Sequence, residues 1–198
     1  MTLINHDHVH AALETASPWI AQYTDLIVPG GKVLDLACGG GRHAIYLANR
    51  GFMVFAVDRD QDSLARIQHD FVMTQPMDLE GESWPLPESE FGKWNAIVVS
   101  NYLYRPYLDQ LPNLLEEGGI LLYETFAIGN EEFGKPSNPN FLLQHGELLD
   151  LAKRHDLHVV AYQDGYREIP KPAMVQSLCA SRGLPKIRHP LQFNATVA

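Results

Sequence analysis

Apolar positions along this chain fall into short runs divided by polar and glycine-rich breaks, and the period of the runs alternates. K-V-L-D-L-A (32–37) reads as a buried strand, and residues 42–50 then carry Ile45, Leu47 and Ala48 at helical spacing before Gly51. M-V-F-A-V-D (53–58) is a second strand that finishes on an acid. Residues 60–69 suit a short helix, F-V-M-T-Q-P (71–76) a third strand, and N-A-I-V-V-S-N (95–101) a fourth. The polar stretch between the last two, with Pro85 and Pro87, reads as a loop. Leu108, Leu111 and Leu114/Leu115 predict a helix over 106–117 that Gly118-Gly119 ends, and I-L-L-Y-E-T-F (120–126) is a fifth strand.

Flanking this rhythm, residues 5–27 are expected to be helical in two pieces, the second started by Ser17-Pro18 and closed by Pro29-Gly30-Gly31. His6, His8 and His10 fall in the first piece and are expected on its polar face. Residues 127–145 form a long loop rich in Gly, Asn and Pro, longer than a simple connection and suited to a lid. The helix G-E-L-L-D-L-A-K-R-H follows, then L-H-V-V-A-Y-Q-D-G-Y and M-V-Q-S-L-C-A-S, which can pair as a hairpin. Strands alternating with helices predict right-handed crossovers and a largely parallel sheet covered on both faces, an α/β fold of Rossmann-like, three-layer type. We expect a single domain, with an appendage over 1–29, a cofactor core over 30–126 and a substrate side over 127–198.

Composition adds exclusions. The 198 residues carry a formal charge of −9, and no Lys/Arg run is visible, which disfavours nucleic acid as a partner. Cys38 and Cys179 make neither a disulfide framework nor a metal cage, so no metal is expected. No apolar run is long enough to span a bilayer and no leader opens the chain, so the expectation is a cytoplasmic protein away from membranes.

The chemistry concentrates in V-L-D-L-A-C-G-G-G (33–41), where a strand runs into three glycines just before a helix. Gly39-x-Gly41-x-x-Ala44 also fits the dinucleotide fingerprint, so the glycines alone do not choose the ligand. Charge does more. A pyrophosphate welcomes the helix N-terminus, but Asp35 just before the loop opposes an anion and suits a cation. S-adenosylmethionine carries a sulfonium and an ammonium and no phosphate. Asp58 ends the second strand, where its two oxygens match vicinal ribose hydroxyls of either ligand. Asp78 ends the third, within reach of an adenine amino group, and Asn101 follows the fourth. A nicotinamide enzyme normally needs a further substrate domain, for which little chain is left.

D-L-A-C-G-G-G, A-V-D-R-D, M-D-L-E and the pair A-I-V-V-S-N-Y-L-Y with G-G-I-L-L-Y-E together resemble the class I S-adenosylmethionine-dependent methyltransferases. The segment from Leu36 to Val54 is closest to small methyltransferase-11/12 and tellurite-resistance-like members. The resemblance implies a seven-stranded sheet with a reversed C-terminal hairpin. It also implies methionine contacts from Gly39 and Gly41, ribose contacts from Asp58, and adenine contacts from Asp78 and Leu79; Arg59, next to Asp58, is counted with the cofactor-binding residues. The expected reaction is in-line methyl transfer to a small-molecule acceptor, leaving S-adenosylhomocysteine. Positioning and exclusion of water can supply most of such catalysis, so no catalytic residue is assigned.

Asn101 is expected to face the methionine moiety, with Tyr102, Tyr104, Arg105 and Phe133 as acceptor-side candidates. Asn101-Tyr102-Leu103-Tyr104 lacks the two prolines that amino-methylating members carry here. His43 is expected on an exposed first helical turn. Two alternatives remain open: a nicotinamide-dependent oxidoreductase, and a non-catalytic module that keeps the cofactor pocket.

Overall fold

A computed structural model of the chain describes residues 15–188 and residue 190. Seven strands form one sheet: β1 (Lys32–Leu36), β2 (Met53–Asp58), β3 (Val72–Pro76), β4 (Trp94–Ser100), β5 (Leu115–Phe126), β6 (Leu157–Arg167) and β7 (Ala173–Arg182). Their order is β3-β2-β1-β4-β5-β7-β6. The β1–β2, β1–β4, β2–β3 and β4–β5 pairs are parallel, whereas β7 runs antiparallel to both neighbours. The order reverses between β1 and β4, which is where an open sheet of this kind holds ligands.

Alternation along each strand sends side chains to two faces and builds two cores. Leu34 and Leu36 of β1, Ile97 and Val99 of β4, and Leu121 and Tyr123 of β5 pack on one face with α4 (Leu111–Leu114) and α5 (Glu147–Arg154). Val33, Ala96, Val98, Ile120 and Leu122 occupy the other, beneath α1 (Pro18–Tyr23), α2 (Arg42–Asn49) and α3 (Gln61–Leu64). The same parity puts Asp35, between Leu34 and Leu36, and Glu124, just after Tyr123, on this second face. Ser17 caps α1 by accepting from Trp19 N, as the Ser-Pro start predicted. His6, His8 and His10 lie outside the described residues.

Two expected helices come out shorter. In place of a helix over 106–117, residues Arg105–Gln110 form a 3₁₀ segment and Leu111–Leu114 a single α turn. Pro106 and Pro112 sit in the first turn of each piece, where the missing N–H is harmless, but one continuous helix would bury that gap in its interior. Leu115 already pairs with Trp94, so β5 starts before the two glycines. Gly118, with φ +75°, and Gly119, whose Cβ would meet Trp94 O at 2.8 Å, serve the irregular step of that pairing rather than a helix end. The helix expected over 60–69 is the one-turn α3, after which Ile67 folds back on the glycine loop.

Candidate active site

The carboxyl ends of β1, β2 and β4 carry the predicted rim. Asp35 is 1 % exposed, and its Oδ2 has no hydrogen-bond partner. Burial pushes its carboxyl up to about 7, against the smaller opposing pull of the Ala44 N–H and the Arg42 guanidinium. Ala37 and Gly39 take the left-handed conformation, both at φ +53°. A Cβ added at Gly39 or Gly40 would meet nothing within 4 Å, so the backbone faces open space there. At Gly41, with φ +76°, a Cβ would come within 2.5 Å of Ile67 Cδ1. Gly40, rather than Gly41, therefore shares the cleft wall with Gly39, and Gly41 makes the turn and admits Ile67.

Asp58 joins the loop to the next strand end: Gly39 N donates to its Oδ2 at 2.8 Å and Asp60 N to its Oδ1 at 2.9 Å. Asp78 accepts from Glu80 N at 2.9 Å. Three cavities meet here. The first, about 520 Å³, is lined by Asp35, Gly39, Gly40, Arg42 and Asn101 among others. The second, about 250 Å³, is lined by Asp58, Arg59, Asp78, Leu79, Asn101 and Tyr102 among others. The third, smaller, lies beneath Phe126, Phe133, Lys135, Arg167 and Lys171. Asn101 lines all three. It sits in the left-handed region at φ +56°, which asparagine tolerates better than most residues, and its N–H donates to Glu124 O at 2.9 Å.

The acceptor-side expectations divide. Phe133 lines the third cavity and packs against Tyr166 at 5.3 Å between ring centroids. Tyr102 borders the nucleoside-sized cavity instead, and its hydroxyl donates to Leu79 O at 3.2 Å. Tyr104 lies in a separate, narrow apolar pocket with Trp84 and Tyr107. Arg105 is a correction: it does not line the site, because its guanidinium is spent on a clamp. It donates to Glu147 at 2.7 and 2.8 Å, to Asn140 O at 2.8 Å and to Leu142 O at 2.7 Å.

His43 is a second correction. It is 2 % exposed, and its Nε2 accepts from Ser17 N at 3.1 Å. Burial, with Arg42 beside it, drives its pKa down to about 3, so it stays neutral and holds the N-terminal segment. A polar side chain in a first turn reads as surface until another segment crosses it. Glu124 is likewise buried, and it receives Ser17 Oγ at 2.9 Å, Ser177 Oγ at 3.2 Å and Arg167 Nη1 at 3.0 Å. The sequence reading did not single out Arg42, Arg167 or Lys171. Only Arg42, adjoining the glycine loop, carried a local signal.

A mostly parallel seven-stranded sheet with β7 reversed, a glycine loop after β1 and an acid ending β2 define the fold class of the S-adenosylmethionine-dependent methyltransferases. The model of one family, tellurite resistance protein TehB, matches residues 14–163. The chain belongs to the TehB family. It is 38 % identical over 116 residues to an uncharacterized methyltransferase of Synechocystis, covering 57 % of this chain and 51 % of that protein. The chain spans about half the length of the curated relatives it matches. TehB from Haemophilus influenzae shares the fold at a TM-score of 0.62 and 21 % identity, over 92 % of this chain and 63 % of that one. A methyltransferase from Mesorhizobium loti does so at 0.65 and 15 %, over 86 % of this chain and 100 % of that one. No helix among the described residues is long and apolar enough to cross a membrane.

Proposed function

We propose that this protein transfers a methyl group from S-adenosylmethionine to a small-molecule acceptor. One observation carries the reading: the unpartnered, buried Oδ2 of Asp35 and the Arg42 guanidinium line the same cleft as the open Gly39–Gly40 backbone. That set, a buried acid beside one guanidinium, matches an amino acid's ammonium and carboxylate, whereas a pyrophosphate has no cation to offer the acid. Next to it, Asp58 keeps lone pairs for ribose hydroxyls, and Asp78 with Leu79 bounds the space for a base.

When bound, the cofactor supplies a methyl group already activated on a sulfonium. The protein's part is then placement. Asn101, common to the three cavities, stands where donor and acceptor would meet. Neither His43 nor Glu124 has a free role as a base, since each is held in the bonds above. The acceptor is therefore expected to arrive with its nucleophilic lone pair available.

Calorimetry with S-adenosylhomocysteine tests this. Binding at micromolar concentrations supports it, and a folded protein that gives no heat at submillimolar ligand rejects it. Consumption of S-adenosylmethionine with an acceptor panel separates the enzyme from a non-catalytic module that merely keeps the pocket.

A further inference from the structure

We infer that the acceptor carries a carboxylate and is anchored by it on Lys135, Lys171 and Arg167, beyond Asn101. The inference rests on the methyltransferase reading and names the substrate class of that same site.

The cavity beneath Phe133 is lined by Arg42, Lys135, Arg167 and Lys171 and by one carboxylate, Glu124. This is a cationic pocket in a chain of net charge −9, so its sign is a local feature and not a reflection of the whole surface. Arg42 is shared with the cofactor cleft, which leaves three cations to the acceptor side. Lys135 and Lys171 make no ion pair among the described residues. Both line this cavity, and the Lys171 ammonium sits 3.8 Å from where a Cβ on Gly134, the residue before Lys135, would stand. Cations that line one cavity and have no ion-pair partner of their own are available to an anion, which both would attract.

Arg167 supplies the inner wall. Its Nη1 is fixed by Glu124, yet its Nε is buried with no hydrogen-bond partner. Glu124 is itself pinned by Ser17 and Ser177, so the guanidinium is held in place before any ligand arrives. An orphaned donor of that kind is costly unless something accepts from it.

Phe126, Phe133, Pro170 and Pro172 give the lining an apolar part, and a bare inorganic oxyanion would leave them without contact. They fit the carbon body of an organic acid. The carboxylate serves as the anchor and not as the methylated atom, because neutralising cations make its oxygens poorer nucleophiles.

The test uses the full chain saturated with S-adenosylhomocysteine and follows binding by calorimetry and amide NMR shifts. Probes are acetate, butyrate, benzoate and phenylacetate, the uncharged amide of each, and sulfate. At least one carboxylate is expected to bind about tenfold tighter than its amide, the scale of a charge-assisted contact, and to shift amides of residues 133–135 and 167–173. The Lys135→Ala/Lys171→Ala variant is expected to lose that preference, and Lys135→Arg/Lys171→Arg to keep it. Carboxylates that bind no tighter than their amides, or a preference that survives in the alanine variant, overturn the inference. Sulfate bound more tightly than every carboxylate overturns the organic assignment. Both lysines are exposed, so the variants are expected to bind S-adenosylhomocysteine like the parent. Loss of that binding in the parent would instead sink the methyltransferase reading.

Discussion

Asp35 and His43, one on β1 and the other on α2, are buried at the same cleft and titrate in opposite senses. Asp35 unfolded ionises near 3.8, but folded it holds its proton to about 7. Between those values the native state binds the extra proton, so this contribution to stability falls as pH rises through the window. His43 does the reverse: unfolded it titrates near 6.5 and folded near 3, so its contribution falls as pH drops through that range. Comparing Asp35→Asn with the parent isolates the first term. In urea melts the variant should match the parent near pH 4 and exceed it at pH 8, by at most about 4 kcal/mol. The same change should weaken S-adenosylhomocysteine binding, because the amide no longer offers a negative partner to an ammonium. Asp58→Ala should cost roughly 1.5–3 kcal/mol of that binding, the scale of hydrogen bonds to a charged group. Calorimetry reads both, and unchanged affinity in Asp58→Ala would show that the acid only braces Gly39.

At the scale of elements, the site depends on how the long connection between β5 and α5 is held. Arg105 clamps it by bridging Glu147 at the start of α5 to the carbonyls of Asn140 and Leu142. Asn130 ties it further, donating to Pro136 O at 2.9 Å and accepting from Met174 N at 3.2 Å on β7. The connection that supplies Phe133 and Lys135 is thus fastened at two points to the substrate side of the sheet. Arg105→Met should leave the sheet intact yet raise amide exchange in 133–142 by about tenfold, since local opening no longer has to break the clamp. Exchange unchanged in that segment would mean that Asn130 and the packing beneath it suffice.

For the whole molecule, a ligand that binds only the native state stabilises all of it. S-adenosylhomocysteine at 100 times its Kd should add about 2.7 kcal/mol and raise Tm by roughly 5–10 °C in a chain of this size. Differential scanning fluorimetry would show the shift kept in Lys135→Ala/Lys171→Ala and diminished in Asp58→Ala. That contrast separates the donor cleft from the acceptor pocket.

Much of this architecture is written locally. Short apolar runs ending at Asp58, Pro76 and Ser100 fix β2, β3 and β4 to within a residue or so, because the alternation and the breakers are local properties. The rim of Asp35, Gly39, Asp58, Asp78 and Asn101 was legible for the same reason: parallel strands carry their carboxyl ends to one edge, so strand-end residues meet without further information. Sequence alone misjudged the 106–117 stripe, where leucine spacing spoke for a helix and Pro112 with the Trp94–Leu115 pairing prevailed. Tertiary structure alone decided the fates of His43 and Arg105 and the gathering of Lys135, Arg167 and Lys171. Those three cations come from one loop and from the two sides of a hairpin connection. Only the antiparallel docking of β7 on β5 brings them over Asn101, and no periodicity within one segment records a neighbour supplied by another.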